Sequence, residues 1–116
     1  MSILNRDLFF ARAVLPMEKH EIPELGGSVN IRGLTGSEWD SITSKRDKSG
    51  EIEQRALAAR FVAVGVVDDE RKPVFAPGDV EGLNSLLPYG VLLRIANIVK
   101  KLSGLKDDEG KGDEKN

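Results

Sequence analysis

His20 is the single histidine of a 116-residue chain that has no cysteine. Together these facts bound the chemistry. Without a thiol there is no thiolate nucleophile, no cysteine-ligated zinc and no disulfide scaffold. With one imidazole, a Ser/His/Asp triad could form only around His20, which sits between Glu18 and Glu21 in a predicted strand. No Gly-x-Ser-x-Gly turn is present to offer it a serine. The acidic run Asp68-Asp69-Glu70 fails as a calcium loop, because Lys72 falls where an oxygen ligand belongs and Pro73 where glycine is needed. A second run, Asp107-Asp108-Glu109, lies in a polar tail. Gly26-Gly27 closes a turn, and neither phosphate-binding glycine pattern occurs. The expectation is a protein that is not an enzyme, with no catalytic residue, metal or cofactor.

The composition supports a binding role. With 40% apolar and 31% charged residues the chain reads as a folded, water-soluble domain. Its 17 basic and 19 acidic residues are interspersed, for a net charge of −2, so no field draws in a nucleic acid backbone. No apolar run reaches the roughly 20 residues of a membrane span. Leu8-Phe9-Phe10 is preceded by Asp7 and followed by Arg12, unlike a secretory leader. Cytosolic location and a protein partner are the expectation, with no nucleic acid and no membrane.

Periodicity and punctuation then predict the elements. Leu4, Leu8, Ala11 and Leu15 give a first helix over 3–15, ended by Pro16. Residues 18–22 and 28–32 read as a hairpin around Pro23-Glu24-Leu25-Gly26-Gly27, with Val29 and Ile31 on one face and Ser28, Asn30 and Arg32 on a solvated one. Thr35-Gly36-Ser37-Glu38 is a capping box that starts a helix carrying Trp39 as a core plug. Residues 51–67 form the strongest helical pattern, apolar on two faces and hence central, with Arg60 at the solvated end of its polar flank. Val66-Val67 could pair with Val74-Phe75 across a charged turn. Pro77 and Asp79 open a helix to about Leu86, and Pro88 starts a last one whose Arg94, Asn97, Lys100 and Lys101 form a solvated side, not a DNA-reading surface. Gly104 with Leu105 caps it.

The expected architecture is therefore mainly α (α+β): four to five short helices around a central helix, an N-terminal β-hairpin and a short second strand pair. Residues 1–105 make the domain. Residues 106–116, with five acids, three lysines, two glycines and no apolar side chain, make a flexible acidic tail. An isolated hairpin is marginal in water, so it must lie on helices or gain a strand from another subunit. Candidate partner or oligomer contacts are Leu8, Phe9 and Phe10 in the first helix, Val29 and Ile31 in the hairpin, and Tyr89 with Leu93 in the last helix.

The order of these signals resembles the tail assembly chaperones of long-tailed bacteriophages. It is carried by residues 21–35 (Glu-Ile-Pro-Glu-Leu-Gly-Gly-Ser-Val-Asn-Ile-Arg-Gly-Leu-Thr), Glu38-Trp39-Asp40, Val66-Val67-Asp68-Asp69 with Pro73-Val74-Phe75, Asp79-Val80-Glu81, and Leu102-Ser103-Gly104-Leu105. Two positions depart from the family pattern: Leu25 stands in a turn where Pro-Glu-Trp-Gly is frequent, and Arg71-Lys72 stand where an acid-glycine pair is common. The resemblance implies a small homo-oligomer that coats the tape measure protein and keeps it soluble. It also implies recruitment of the tail tube protein, in this family often through a frameshifted C-terminal extension. The protein would act in the bacterial host cytoplasm, during infection or from a prophage, and be absent from the mature virion. The alternatives are a minor phage structural or head-tail joining subunit and, more remotely, a DNA-binding regulator.

Overall fold

The structure, a computed structural model, describes residues 3–105, so the acidic tail expected at 106–116 lies outside the described residues. The elements run α1 (Arg6–Arg12), β1 (Met17–Ile22), β2 (Gly27–Arg32), α2 (Gly36–Thr43), α3 (Leu57–Gly65), β3 (Val66–Val67), α4 (Val80–Leu86) and α5 (Tyr89–Leu102). It is a mixed fold of short helices around a central one, with an N-terminal hairpin. The hairpin is antiparallel, Met17 opposite Arg32 through Ile22 opposite Gly27. Gly26 takes the left-handed conformation (φ 70°) that its turn needs.

Tertiary context first changes helix bounds: α1 covers only Arg6–Arg12 of the expected 3–15. The central helix is shorter than 51–67. Asp47 accepts hydrogen bonds from the Ser49 amide (2.9 Å), the Ser49 hydroxyl (2.7 Å) and the Glu51 amide (3.1 Å), folding residues 47–51 into a turn. Arg46 then bridges Ile52, and Ala56 is left-handed (φ 59°), so helix begins only at Leu57. The second change is the destination of Val66-Val67. Val67 does bridge Pro73, and the Val74 amide donates to the Val66 carbonyl (3.3 Å), but β3 pairs chiefly with β2. The hairpin thereby becomes a three-stranded sheet ordered β1-β2-β3.

The core lies where α3 and α5 meet the sheet: Ile22, Ile31, Phe61, Val62, Leu92 and Val99 are fully or nearly fully enclosed. Trp39 is half-buried against this core, its ring 5.5 Å from that of Phe61. On the far face of β2, Ser28 is exposed as expected, but Asn30 and Arg32 are not solvated. The Asn30 carboxamide is buried and donates to Asp69 (2.8 Å), while the Arg32 guanidinium forms a two-bond fork with Glu38, each bond 2.8 Å. Nor is Arg60 solvated; it bends back to donate to the Glu53 carbonyl (2.8 Å).

Close approach of backbone holds these layers in register. A Cβ on Gly33 would run into the Leu102 carbonyl, and one on Gly65 into the Val99 side chain. Beside Gly33, the Leu34 amide donates to Ser103 Oγ (2.8 Å), which itself donates to the Val99 carbonyl (2.7 Å). The end of β2 is thus sewn to the end of α5. There the Leu105 amide bonds the Lys100 carbonyl and the Gly104 amide the Lys101 carbonyl (each 3.0 Å), the glycine cap anticipated from sequence.

Two measurements check this account. Gly33→Ala, which drives a methyl into backbone, should lower stability to urea by about 1 to 3 kcal/mol, whereas Gly82→Ala, in open space within α4, should raise it by about 0.5 to 1 kcal/mol. The Glu38 carboxyl is held down from 4.5 to about 2, first by the Arg32 hydrogen bonds and then, against the opposing effect of burial, by the Thr35 amide. Its folded-state pKa lies below the unfolded one, so its contribution is complete above about pH 4.5 and fades as pH falls towards 2. Solvent reaches the pair, with Glu38 31% exposed, which limits it to about 1 kcal/mol. Glu38→Gln should cost that much at pH 7 and nothing near pH 2, as read from urea midpoints at the two pH values.

Candidate interaction surface

Helix α1 is the element the fold leaves uncovered. It is well begun, since the Asn5 carboxamide accepts the Leu8 amide (2.9 Å), Asp7 lies in the first turn and Arg12 in the last. Yet none of its seven residues is buried. Phe9 is 63% and Phe10 66% exposed. The two rings stand edge to face at 6.5 Å, and the Arg6 guanidinium lies 5.1 Å over Phe10. Exposed Ile3, Leu4, Leu8 and Val14 extend the apolar character along the segment. Isolated helices shorter than about 12 to 15 residues are marginal in water. A seven-residue helix with an apolar surface and no internal cover is therefore marginal by itself.

The arm is tied to the body at its root. The Gly33 amide donates to the Pro16 carbonyl (3.0 Å), and Arg71 Nη1 donates to the Leu15 carbonyl (2.8 Å). Arg71 reaches there from a turn in which it is left-handed, φ 68°. That conformation costs a side-chain-bearing residue about 1 kcal/mol or more. The turn enforces it: the Asp68 carboxylate accepts from the Glu70 (2.8 Å) and Lys72 (2.9 Å) amides, and the Arg71 amide donates to the Asp68 carbonyl (3.0 Å). Ala13, Val14, Leu15, Arg32, Thr35 and Arg71 line a shallow depression of about 630 Å³ at this junction.

Leu8, Phe9 and Phe10, expected as contact residues, all lie on the exposed arm. Val29 is half-buried against the core. Ile31, also named as a candidate contact, sits opposite Val66 with no exposed surface, so its side chain belongs to the core of the subunit. Tyr89 (69% exposed) and half-buried Leu93 line one groove of about 170 Å³ with Leu57, Phe61 and Ala96. The sequence reading missed Val14 as exposed surface and Arg71 as the tether. Val14 continues the N-terminal apolar run and could have been included; the reach of Arg71 across 56 positions has no local signal. His20 bonds Glu18 (2.8 Å) on exposed surface. Among the described residues no metal-holding group of His, Cys, Asp or Glu occurs, and no helix is long and apolar enough to cross a membrane.

Comparison with known proteins gives one informative result. No family model matches the chain, and no curated protein matches it. Among solved structures, the bacteriophage HK97 tail assembly chaperone is similar over 84% of this chain and 90% of that one, with a TM-score of 0.59 and 19% sequence identity. The two chains share a fold. At this identity the likeness concerns architecture alone.

Replacing the strained tether separates its two effects. Arg71→Gly should leave stability to urea equal or raised by up to about 1 kcal/mol, because glycine adopts positive φ freely. Limited proteolysis between α1 and β1 should nevertheless become several-fold faster as the bond to the Leu15 carbonyl is lost.

Proposed function

We propose that this chain is a non-catalytic phage tail assembly chaperone that self-associates and binds the tape measure protein. In this reading it keeps that long helical protein soluble in the host cytoplasm and recruits tail tube subunits during tail assembly. The observation that carries the reading is the uncovered apolar helix α1, on a fold similar to that of the bacteriophage HK97 tail assembly chaperone. A chaperone of an aggregation-prone helical chain needs apolar contacts that can be repeated along it and no reactive group. Burying one large apolar side chain is worth about 1.5 to 3 kcal/mol. Leu8, Phe9 and Phe10 together can therefore supply useful affinity per subunit, and many subunits on one chain add through effective concentration.

The test is co-expression with the tape measure protein encoded nearby. The wild-type chain should hold it soluble and co-purify with it. The triple variant Leu8→Asp/Phe9→Asp/Phe10→Asp should keep the far-ultraviolet dichroism and melting temperature of the parent within a few degrees, since none of the three is buried in the subunit, yet lose at least tenfold in affinity for the partner. A triple variant that binds as the parent does, or a parent with no effect on partner solubility, refutes the proposal.

A further inference from the structure

Strand β1 forms one edge of the sheet, and its hydrogen-bonding pattern determines what it offers to the outside. The Gly33 amide bonds the Pro16 carbonyl, and Pro16 opposite Gly33 continues the hairpin register. Bonded pairs alternate with non-bonded ones in an antiparallel ladder, so residues 18, 20 and 22 bond to β2. Met17, Lys19 and Glu21 therefore aim their amides and carbonyls away from the sheet. Among the described residues nothing receives them. The side chains of Lys19 and Glu21 face neutral neighbours across the strand, Asn30 and Ser28, and enter no ion pair among the described residues.

We infer that this edge pairs with the same edge of a second copy, antiparallel about a two-fold axis, with Lys19 of each copy opposite Glu21 of the other. The choice of register follows from charge. Three registers let two or more of the outward residues face one another. Lys19 opposite its own copy places like charges in direct contact, which disfavours pairing. Met17 opposite Lys19 leaves Glu21 without a counter-charge. Lys19 opposite Glu21 satisfies both charges twice and makes two bonded pairs. A strand charged only to forbid edge pairing, the common protective device, would carry one sign along its outward positions; this one carries both, two residues apart. The interface is isologous, as a closed dimer requires, and merges two three-stranded sheets into one.

In this arrangement His20 meets His20 of the other copy on the axis, as a non-bonded pair with Cα atoms about 4.5 Å apart. That separation is compatible with a disulfide, and the chain has no other cysteine to confuse the result. Glu18 would lie opposite Ile22, about 13 Å along the strand from its own copy at ~3.3 Å per residue.

The inference gives a geometry to the self-association proposed above and rests on that part of the reading. On mild oxidation His20→Cys should convert to a covalent dimer while Glu18→Cys stays monomeric on a denaturing gel. By sedimentation, Lys19→Glu should weaken the dimer at least tenfold, and the charge swap Lys19→Glu/Glu21→Lys should restore it, which a merely destabilised subunit would not do. Equal cross-linking at both positions, no cross-linking at His20→Cys, or a swap that fails to restore association overturns the register. A parent that sediments as an oligomer indifferent to Lys19→Glu overturns this interface alone. A parent monomeric at every concentration overturns self-association itself.

Discussion

The contact of the Gly65 backbone with the Val99 side chain sets the spacing of α3 and α5, and the rest of the subunit is arranged around it. Because Gly65 adds no side chain, the helices approach closely enough for Phe61, Val62, Leu92 and Val99 to share one enclosed core. The chain then passes straight from Gly65 into β3, which joins the hairpin to this helix pair. The Gly33 and Ser103 contacts fasten the chain just after β2 to α5. A sheet that would be marginal as a lone hairpin is thus held along the C-terminal half of β2 by β3 and α5.

This economy explains where apolar surface stays exposed. The apolar stripe of α5 is spent on α3 and β2, and the apolar faces of α3 on its neighbours, so no sheltered face is left for α1. The chain accordingly presents Leu8, Phe9 and Phe10 to solvent, on a helix too short to be stable by itself. A left-handed Arg71 holds the root of that arm. Strain kept in a tightly bonded turn often accompanies function; here it positions the guanidinium on the Leu15 carbonyl.

Much of this was legible in the sequence where local signals agree with tertiary needs. The Thr35/Glu38 capping box, the hairpin around Pro23 to Gly27 and the last helix with its glycine cap all carry their cause within a few residues. Legibility failed where two local signals compete or where distant groups decide. Ile52 and Ala56 fall at helical spacing, but Asp47 captures the preceding amides and Ala56 turns left-handed, so the helix starts later. Val66-Val67 have strand chemistry, yet only the folded chain brings them to Asn30 and Ile31. Alternation predicted a wet face for Asn30 and Arg32 because it cannot see Asp69 or Glu38 arriving from elsewhere.

In the proposed function, α1 is an interaction element whose stability comes from a partner polypeptide. Amide hydrogen exchange of residues 6–12 measures this directly, since protection reports local opening free energy. Exchange within seconds is expected in dilute free protein, while the core amides of α3 and α5 stay protected, with strong slowing across α1 when the proposed partner, the tape measure protein, is bound. Protection of α1 in the free subunit, or exchange unchanged in the complex, would contradict it.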